Sequence, residues 1–391
     1  MLKDDQRYIL NVYQRLPITI TKGEGSYVFD DQGQRYLDMF AGIAVNALGH
    51  QHPVINEAIL SHMHSFLHLS NYFATASTVA LAKCLVEETK LHQVFFSNSG
   101  TEAIEASIKL ARKWGSNIAS DKTDIIALSQ GFHGRTSGGM ALTDKPEYKT
   151  QFAPLLPGIK HCKKNDIKAL EDTINDQTCA LFIEVVQGEG GVHLLDVDYV
   201  KKMVELAKKH HVLIVADEIQ SGMMRTGKLF AYQHYDLVPD IITAAKALGG
   251  GLPLGAMIVS EPLSHVFKPG DHGSTFGGNP MAAALGLALI KEVLKPTFIE
   301  QLNTESAFLF QELNHLKSKY PHIITDVRGC GMMIGVDVGV HAQALKALFI
   351  KHHILINVTS KTVIRLLPPL NIPHDALVHF IYTFNLLLES L

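Results

Sequence analysis

The sequence predicts an α/β protein: a larger lobe built on a mainly parallel sheet covered by helices, joined to a smaller α+β lobe. Three observations carry this expectation. At 391 residues the chain exceeds what one hydrophobic core organises, so two lobes are expected. From about residue 90 to residue 260, strand-like and helix-like stretches alternate, the pattern of parallel strands covered on both faces. Several of those strands end in glycine-rich or polar clusters, and in open α/β sheets ligands sit outside the carboxyl ends of the strands.

In chain order, Gly23 to Gly33 followed by Arg35-Tyr-Leu-Asp38 reads as a β-hairpin with an Asp-Gln-Gly turn, placed with the smaller lobe. Val94-Phe-Phe96 leads into Ser97-Asn-Ser-Gly-Thr101, and Asp124 to Leu128 leads into Gln130-Gly-Phe-His-Gly-Arg135. Ala180 to Val186 leads into Gln187-Gly-Glu-Gly-Gly191, and Val212 to Ala216 into Asp217-Glu-Ile-Gln220. The β-branched run that starts at Asp240 ends at Lys246, just before a glycine-rich turn. After Pro280, helix-like sequence gives way to short strands at Gly331–Asp337 and Lys361–Leu367, then to Pro368-Pro369 and a final amphipathic helix. The expected division is residues 1–47 as the N-terminal segment of the smaller lobe, 48–280 as the larger lobe, and 281–391 as the C-terminal part of the smaller lobe. No internal repeat, low-complexity tract or flexible linker is evident.

Composition narrows the function classes. Hydrophobic residues at 47%, charged residues at 19% and a net charge of −3 describe an ordered globular chain with no electrostatic footprint for nucleic acid. The first residues have no apolar run suited to a signal peptide. The longest apolar stretch, Met281 to Ile290, is too short for a bilayer, so a cytoplasmic protein with no membrane partner is expected. Cys84, Cys162, Cys179 and Cys330 are too dispersed for a zinc or redox pair, and the 21 histidines lack a completing ligand pattern, so no metal site is expected.

The chemistry concentrates at the strand ends. Lys246 and Asp217 close two of them and suit pyridoxal 5'-phosphate: a lysine amine to hold the cofactor as a Schiff base, and a carboxylate to keep its pyridine nitrogen protonated. Ser99-Gly100-Thr101 precedes a stretch with Ile104, Ile108 and Ala111 at helical spacing; it is either an ordinary N-cap or a phosphate site at a helix N-terminus. Phe132 could stack on a flat ring and Arg135 could clamp a carboxylate, or the two could be a core aromatic and a surface charge. Gly273 to Pro280 is a turn between lobes or part of the site.

Taken in order, these motifs resemble the class III pyridoxal-phosphate aminotransferases of fold type I. Further motifs agree: Ala41 to His50, Arg328-Gly-Cys-Gly331 and Arg365-Leu-Leu-Pro-Pro-Leu370. The resemblance covers nearly the whole chain. It implies that Lys246 binds the cofactor and shuttles a proton, with Asp217 at the ring nitrogen and Gln220 at the ring hydroxyl. It places Phe132 on the ring and the phosphate at Ser99, Gly100 and Thr101. It brings Thr275 to the phosphate from the other subunit of a homodimer with shared sites, with Ser274 near the substrate. Arg135 and Arg365 are implied to bind carboxylates, and Glu189 to pair with Arg365. The implied reaction moves the δ-amino group of N-acetylornithine to 2-oxoglutarate by ping-pong chemistry. Ornithine, succinylornithine, succinyl-diaminopimelate and 4-aminobutyrate are the alternative donors, and an aminomutase is the alternative reaction. One stretch departs from the family pattern: where relatives place an aromatic and a proline after Ser70-Asn71, this chain has Ala74 and Ser77, and that stretch lines the substrate end of the pocket in relatives.

Overall fold

The computed structural model describes all 391 residues. Its central sheet has seven strands in the order Gln93–Ser97, Gly255–Val259, Ile241–Ala244, Leu213–Asp217, Thr178–Ile183, Asp124–Leu128 and Ile159–Cys162. Only Gly255–Val259 runs against its neighbours; the other six strands are parallel. Successive side chains of a strand point to opposite faces, and both faces here are apolar. Leu213, Val215, Ala180 and Phe182 pack on the face that receives Ile104, Ile108 and Ala111 of the helix Gly100–Ile118, while Ile214, Ala216, Leu181 and Ile183 belong to the larger core opposite. That two-sided burial is why these strands read as continuous apolar runs.

Within the central sheet, expectation and structure differ at three strands. Ile159–Cys162 and Gly255–Val259 were not anticipated; the first carries Lys160 and His161 on a sheet edge, and the second lies inside a glycine-rich stretch that reads as a turn. The predicted strand Ala180–Val186 breaks after Ile183, and Val186–Gln187 forms a separate pair with His193–Leu194. The break falls at Glu184, whose carboxylate accepts the Phe132 N–H at 2.8 Å and the Gly188 N–H at 3.3 Å.

The predicted hairpin is present and larger than expected. Ile20–Glu24, Tyr27–Asp30 and Arg35–Asp38 form an antiparallel set, turned at Gly33 (φ 82°), where the Asp30 carboxylate accepts the N–H groups of Gln32 and Gln34. Ile354–Leu355, from far along the chain, adds a parallel strand beside Arg35–Asp38, so the N-terminal segment is stitched to C-terminal sequence. A second antiparallel sheet, in the order Asp326–Cys330, Met333–Asp337, Val363–Leu366 and Asn357–Thr359, carries Arg365. The final helix, His374–Glu389, packs Phe380 and Phe384 around Phe349 of the helix Ala342–Lys351, with ring centroids 5.2 to 5.9 Å apart. No helix is long and apolar enough to cross a membrane.

Candidate active site

The parallel strands deliver Asp217, Glu184 and Lys246 to one cavity, lined also by Thr101, Phe132, His133, Gly134, Ile219 and Gln220. Lys246 follows the strand Ile241–Ala244 and adopts φ 50°, a left-handed conformation that costs energy in a residue other than glycine. Its amine is buried and feels another cation, Arg365. Desolvation first, and then the Arg365 charge, push it down to about 8 against the opposing pull of Glu189, Asp217 and Glu184. An amine so placed is far more nucleophilic at neutral pH than an exposed lysine.

Across the cavity, Asp217 is 5% exposed. One carboxylate oxygen meets His133 Nδ1 at 2.7 Å, while the other accepts the Thr243 hydroxyl at 3.1 Å and the Ile219 N–H at 3.2 Å. Burial alone would lower the His133 imidazole, but its hydrogen bond and charge attraction to Asp217, helped by Glu184, carry it upward overall. Burial pushes the Glu184 carboxyl up to about 7.

The helix Gly100–Ile118 starts at the mouth of the cavity. Ser99 is its N-cap and accepts the Glu102 N–H at 3.3 Å, so the capping role is real, and the Gly100 and Thr101 N–H groups that follow have no intrahelical partner. A side chain at position 100 would run into Ile219. At Gly134 (φ 124°) a Cβ would overlap Thr101, so glycine is required for that loop to close over the helix start.

Arg365 arrives from the small antiparallel sheet and is 1% exposed. Its guanidinium donates to Glu189 Oε1 at 2.6 Å, to Gln220 Oε1 at 3.0 Å, and through Nε and Nη2 to Asn357 Oδ1 at 3.2 and 2.7 Å. Asn357 is its direct partner across the strands. Burial would raise the Glu189 carboxyl, but the Arg365 charge and hydrogen bond hold it below the usual carboxylate range. The Glu189 carbonyl, meanwhile, accepts from Lys145, Thr359 and Ser360 at 3.0, 2.9 and 3.1 Å, pinning the backbone and leaving the carboxylate as the movable part.

Of the residues singled out by sequence, Thr101, Phe132, Asp217, Gln220 and Lys246 line the cavity, and Arg365, paired with Glu189, donates to Gln220 of that lining. Arg135 is exposed, with its guanidinium 3.5 Å from the centre of the Tyr148 ring and 5.9 Å from that of Phe132. Ser274 and Thr275 do not enter this cavity. They line a separate hollow with Asn98, Glu102 and Phe276, where Ser274 Oγ accepts from Asn98 at 3.0 Å and Thr275 is exposed. Sequence reasoning assigned no role to His133, Glu184 or Asn357. His133 and Glu184 lay inside motifs already noted, but only their contacts with Asp217 and Phe132 single them out.

Comparison with known proteins agrees with this geometry. The aminotransferase class-III family model matches residues 8–388. An acetylornithine aminotransferase of Caldanaerobacter subterraneus is 42% identical over 379 residues, covering 96% of this chain and 95% of the relative. Among solved structures, the ornithine aminotransferase of Toxoplasma gondii superposes with a TM-score of 0.94 at 30% identity, over 100% of this chain and 95% of that one. Another structure of that enzyme (TM-score 0.92, 30% identity, 100% and 94% coverage) is described with partial occupancy of PLP at the active site. The chain therefore belongs to the class-III aminotransferases, enzymes that depend on pyridoxal 5'-phosphate.

Proposed function

We propose that the protein transfers the δ-amino group of N-acetylornithine to 2-oxoglutarate. The acetylornithine aminotransferases that it resembles at about 42% identity over nearly full length support this donor. The observation that carries the reading is the Arg365–Glu189 pair beside Lys246. The donor presents an amine remote from its α-carboxylate, whereas glutamate carries its amine next to one. A single site serving both needs a carboxylate clamp that can be covered and uncovered.

The residues present fit the cofactor of the family. A desolvated amine faces a buried carboxylate across a cavity with Phe132 in its wall, and a helix opens toward it with free N–H groups. Pyridoxal phosphate supplies an aldehyde that combines with amines and a ring that withdraws electrons from the bond next to nitrogen. Lys246 would hold the cofactor through its amine, and the same amine would carry a proton for the reaction. Asp217 would meet the ring nitrogen, and His133 fixes the direction of that carboxylate. Gln220 would meet the ring hydroxyl and Phe132 the ring plane. Ser99, Gly100 and Thr101 form the phosphate end. With Glu189 on Arg365, the clamp is covered and the α-carboxylate of N-acetylornithine goes to the exposed Arg135. With 2-oxoglutarate or glutamate, Glu189 gives way and Arg365 takes the carboxylate through its planar fork.

The same reading makes the enzyme a cytoplasmic homodimer whose Ser274 and Thr275 complete the partner's site. In support, both lie outside their own chain's cavity, and exposed apolar surface lies on Phe276 of the same loop and on Phe66, Leu67, Tyr72 and Phe73 of the segment whose Asn71 donates to the Ser274 carbonyl. Lobe boundaries near residues 47 and 280 belong to it as well, supported by the strand that joins Ile354–Leu355 to the N-terminal sheet.

The test is glutamate formation from 2-oxoglutarate with each candidate donor in turn. N-acetylornithine is expected to give the highest kcat/KM. A higher value for ornithine, N-succinylornithine, succinyl-diaminopimelate or 4-aminobutyrate replaces the donor, and no transfer from any of them overturns the reading.

A further inference from the structure

A chain of hydroxyl groups runs behind the helix start. Thr101 and Glu105 lie one turn apart on the helix Gly100–Ile118, and the loop after Gly134 crosses that face. Thr136 Oγ1 sits between them, 2.7 Å from Thr101 Oγ1 and 2.5 Å from Glu105 Oε1. The same Glu105 oxygen accepts the N–H groups of Gly138 and Gly139 at 2.8 and 3.2 Å, both in the first turn of the helix Ser137–Leu142. A Cβ on Gly138 would strike this carboxylate, and one on Gly139 would press on Thr101 and Thr136, so the crossing depends on two glycines.

Proton counting gives the chain a direction. A carboxylate only accepts, and two backbone donors already hold this one in that role, so the single hydroxyl hydrogen of Thr136 goes to Glu105. Thr136 then has none left for Thr101, and the Thr101 hydrogen must go to Thr136. Thr101 lines the Lys246 cavity, and its Oγ1 therefore has only lone pairs to offer any further partner there.

From this geometry we infer that Glu105 is a positioning residue for the phosphate end: through Thr136 it fixes the Thr101 hydroxyl as an acceptor, so that a phosphate there is held by the main-chain N–H groups of Gly100 and Thr101 and not by the Thr101 side chain. For Thr101 to donate to a phosphate it would have to release Thr136, leaving two hydroxyl oxygens in contact with no hydrogen between them unless Thr136 also released Glu105. The inference rests on the proposed placement of the cofactor phosphate at this helix start.

The experiment measures dissociation constants of pyridoxal phosphate and of pyridoxal for apoprotein prepared from the native enzyme and its variants, by equilibrium dialysis. Thr101→Val alone is expected to change pyridoxal phosphate affinity less than about twofold, because it removes no donor to the phosphate. Thr136→Val frees the Thr101 hydrogen, so pyridoxal phosphate should bind several-fold tighter and pyridoxal unchanged. In that background Thr101→Val should cost about tenfold, the worth of one hydrogen bond to a charged group. Glu105→Ala frees Thr136 by a second route and should make Thr101→Val costly in the same way. A purely structural role for Glu105 would shift both ligands together. A tenfold loss from Thr101→Val in the otherwise native protein, with phosphate preference intact, overturns the inference alone. Equal native affinities for pyridoxal and pyridoxal phosphate overturn the phosphate placement, and the inference with it.

Discussion

At the Asp217 end of the cavity, every polar group comes from the loops and strand ends of one parallel sheet, is buried, and has its hydrogen bonds filled within a single lobe: Asp217 with His133, Thr243 and Ile219, and Glu184 with Phe132 and Gly188. At the Arg365 end, the groups come from distant parts of the chain. Arg365 and Asn357 stand on the small antiparallel sheet, whereas Glu189 stands on a turn beside the large one. The Glu189 side chain keeps 23% of its surface exposed, against 4% for Asp217. The first end is built to keep one arrangement. The second joins a fixed guanidinium to a carboxylate that can leave. Chemistry common to both substrates belongs at the fixed end, and discrimination between them at the adjustable one.

The comparison breaks first at Lys246. Lys246→Ala is expected to reduce turnover by at least about 10⁴-fold, the upper range for one acid–base group, because it also removes the cofactor's anchor, while circular dichroism shows the fold retained. Next comes Asp217. Its removal leaves the buried His133 ring without its partner, and Asp217→Ala should lower stability by about 3 kcal/mol, the low end for breaking a buried pair from one side. The pH dependence has a definite sign. The folded pKa of His133 lies above its ordinary value of 6.5, so the pair's stabilisation is full below that value and fades as pH rises through the higher folded one. Thermal unfolding of Asp217→Asn at a series of pH values should show that component gone. A native-like pH profile in the variant would mean that the end is not held by this pair.

The remaining expected effects are smaller. Thr275→Ala should weaken pyridoxal phosphate retention by about 1.5–3 kcal/mol if its hydroxyl meets the partner's phosphate; sedimentation with an activity assay that finds a fully active monomer would remove the basis for that expectation. Glu189→Ala leaves Arg365 uncovered, so the glutamate half-reaction should gain on the N-acetylornithine half-reaction by about tenfold, or roughly 1.4 kcal/mol. Stopped-flow measurement of both half-reactions decides it. An unchanged ratio would make Glu189 a structural part of its turn and move donor selection to the Tyr72–Ser77 stretch.

The fixed end was also the more legible one in the sequence. Leu213–Asp217 and Ile241–Ala244 announce themselves by apolar, β-branched runs, and a strand end fixes where its next residue points, so Asp217 and Lys246 could be placed from local pattern. Gly255–Val259 could not, because its glycine and alanine pack tightly against Ser97 and Phe96 and that close approach is a tertiary fact. The Glu189–Arg365 pair spans 176 positions and was reached only through family resemblance; no periodicity encodes it. His133 and Glu184 sat in view yet unassigned, because a buried histidine or glutamate is recognised by what it faces. The break at Glu184 was hidden for the same reason: its neighbours Ile183 and Val185 continue the apolar run, while the backbone donors that pull the carboxylate aside come from Phe132 and Gly188.

The central claim, that the amine beside Asp217 is the reacting one, has a direct test. Two lysines are driven down to about 8: Lys246, and Lys164, which donates to Gln187 at 2.6 Å. Borohydride reduction of the protein loaded with pyridoxal phosphate, followed by peptide mass mapping, reports which lysine has bonded to the cofactor. The account predicts the added mass on the peptide containing Lys246 and none at Lys164. Labelling at Lys164 or another lysine, with Lys246 unmodified, would contradict it.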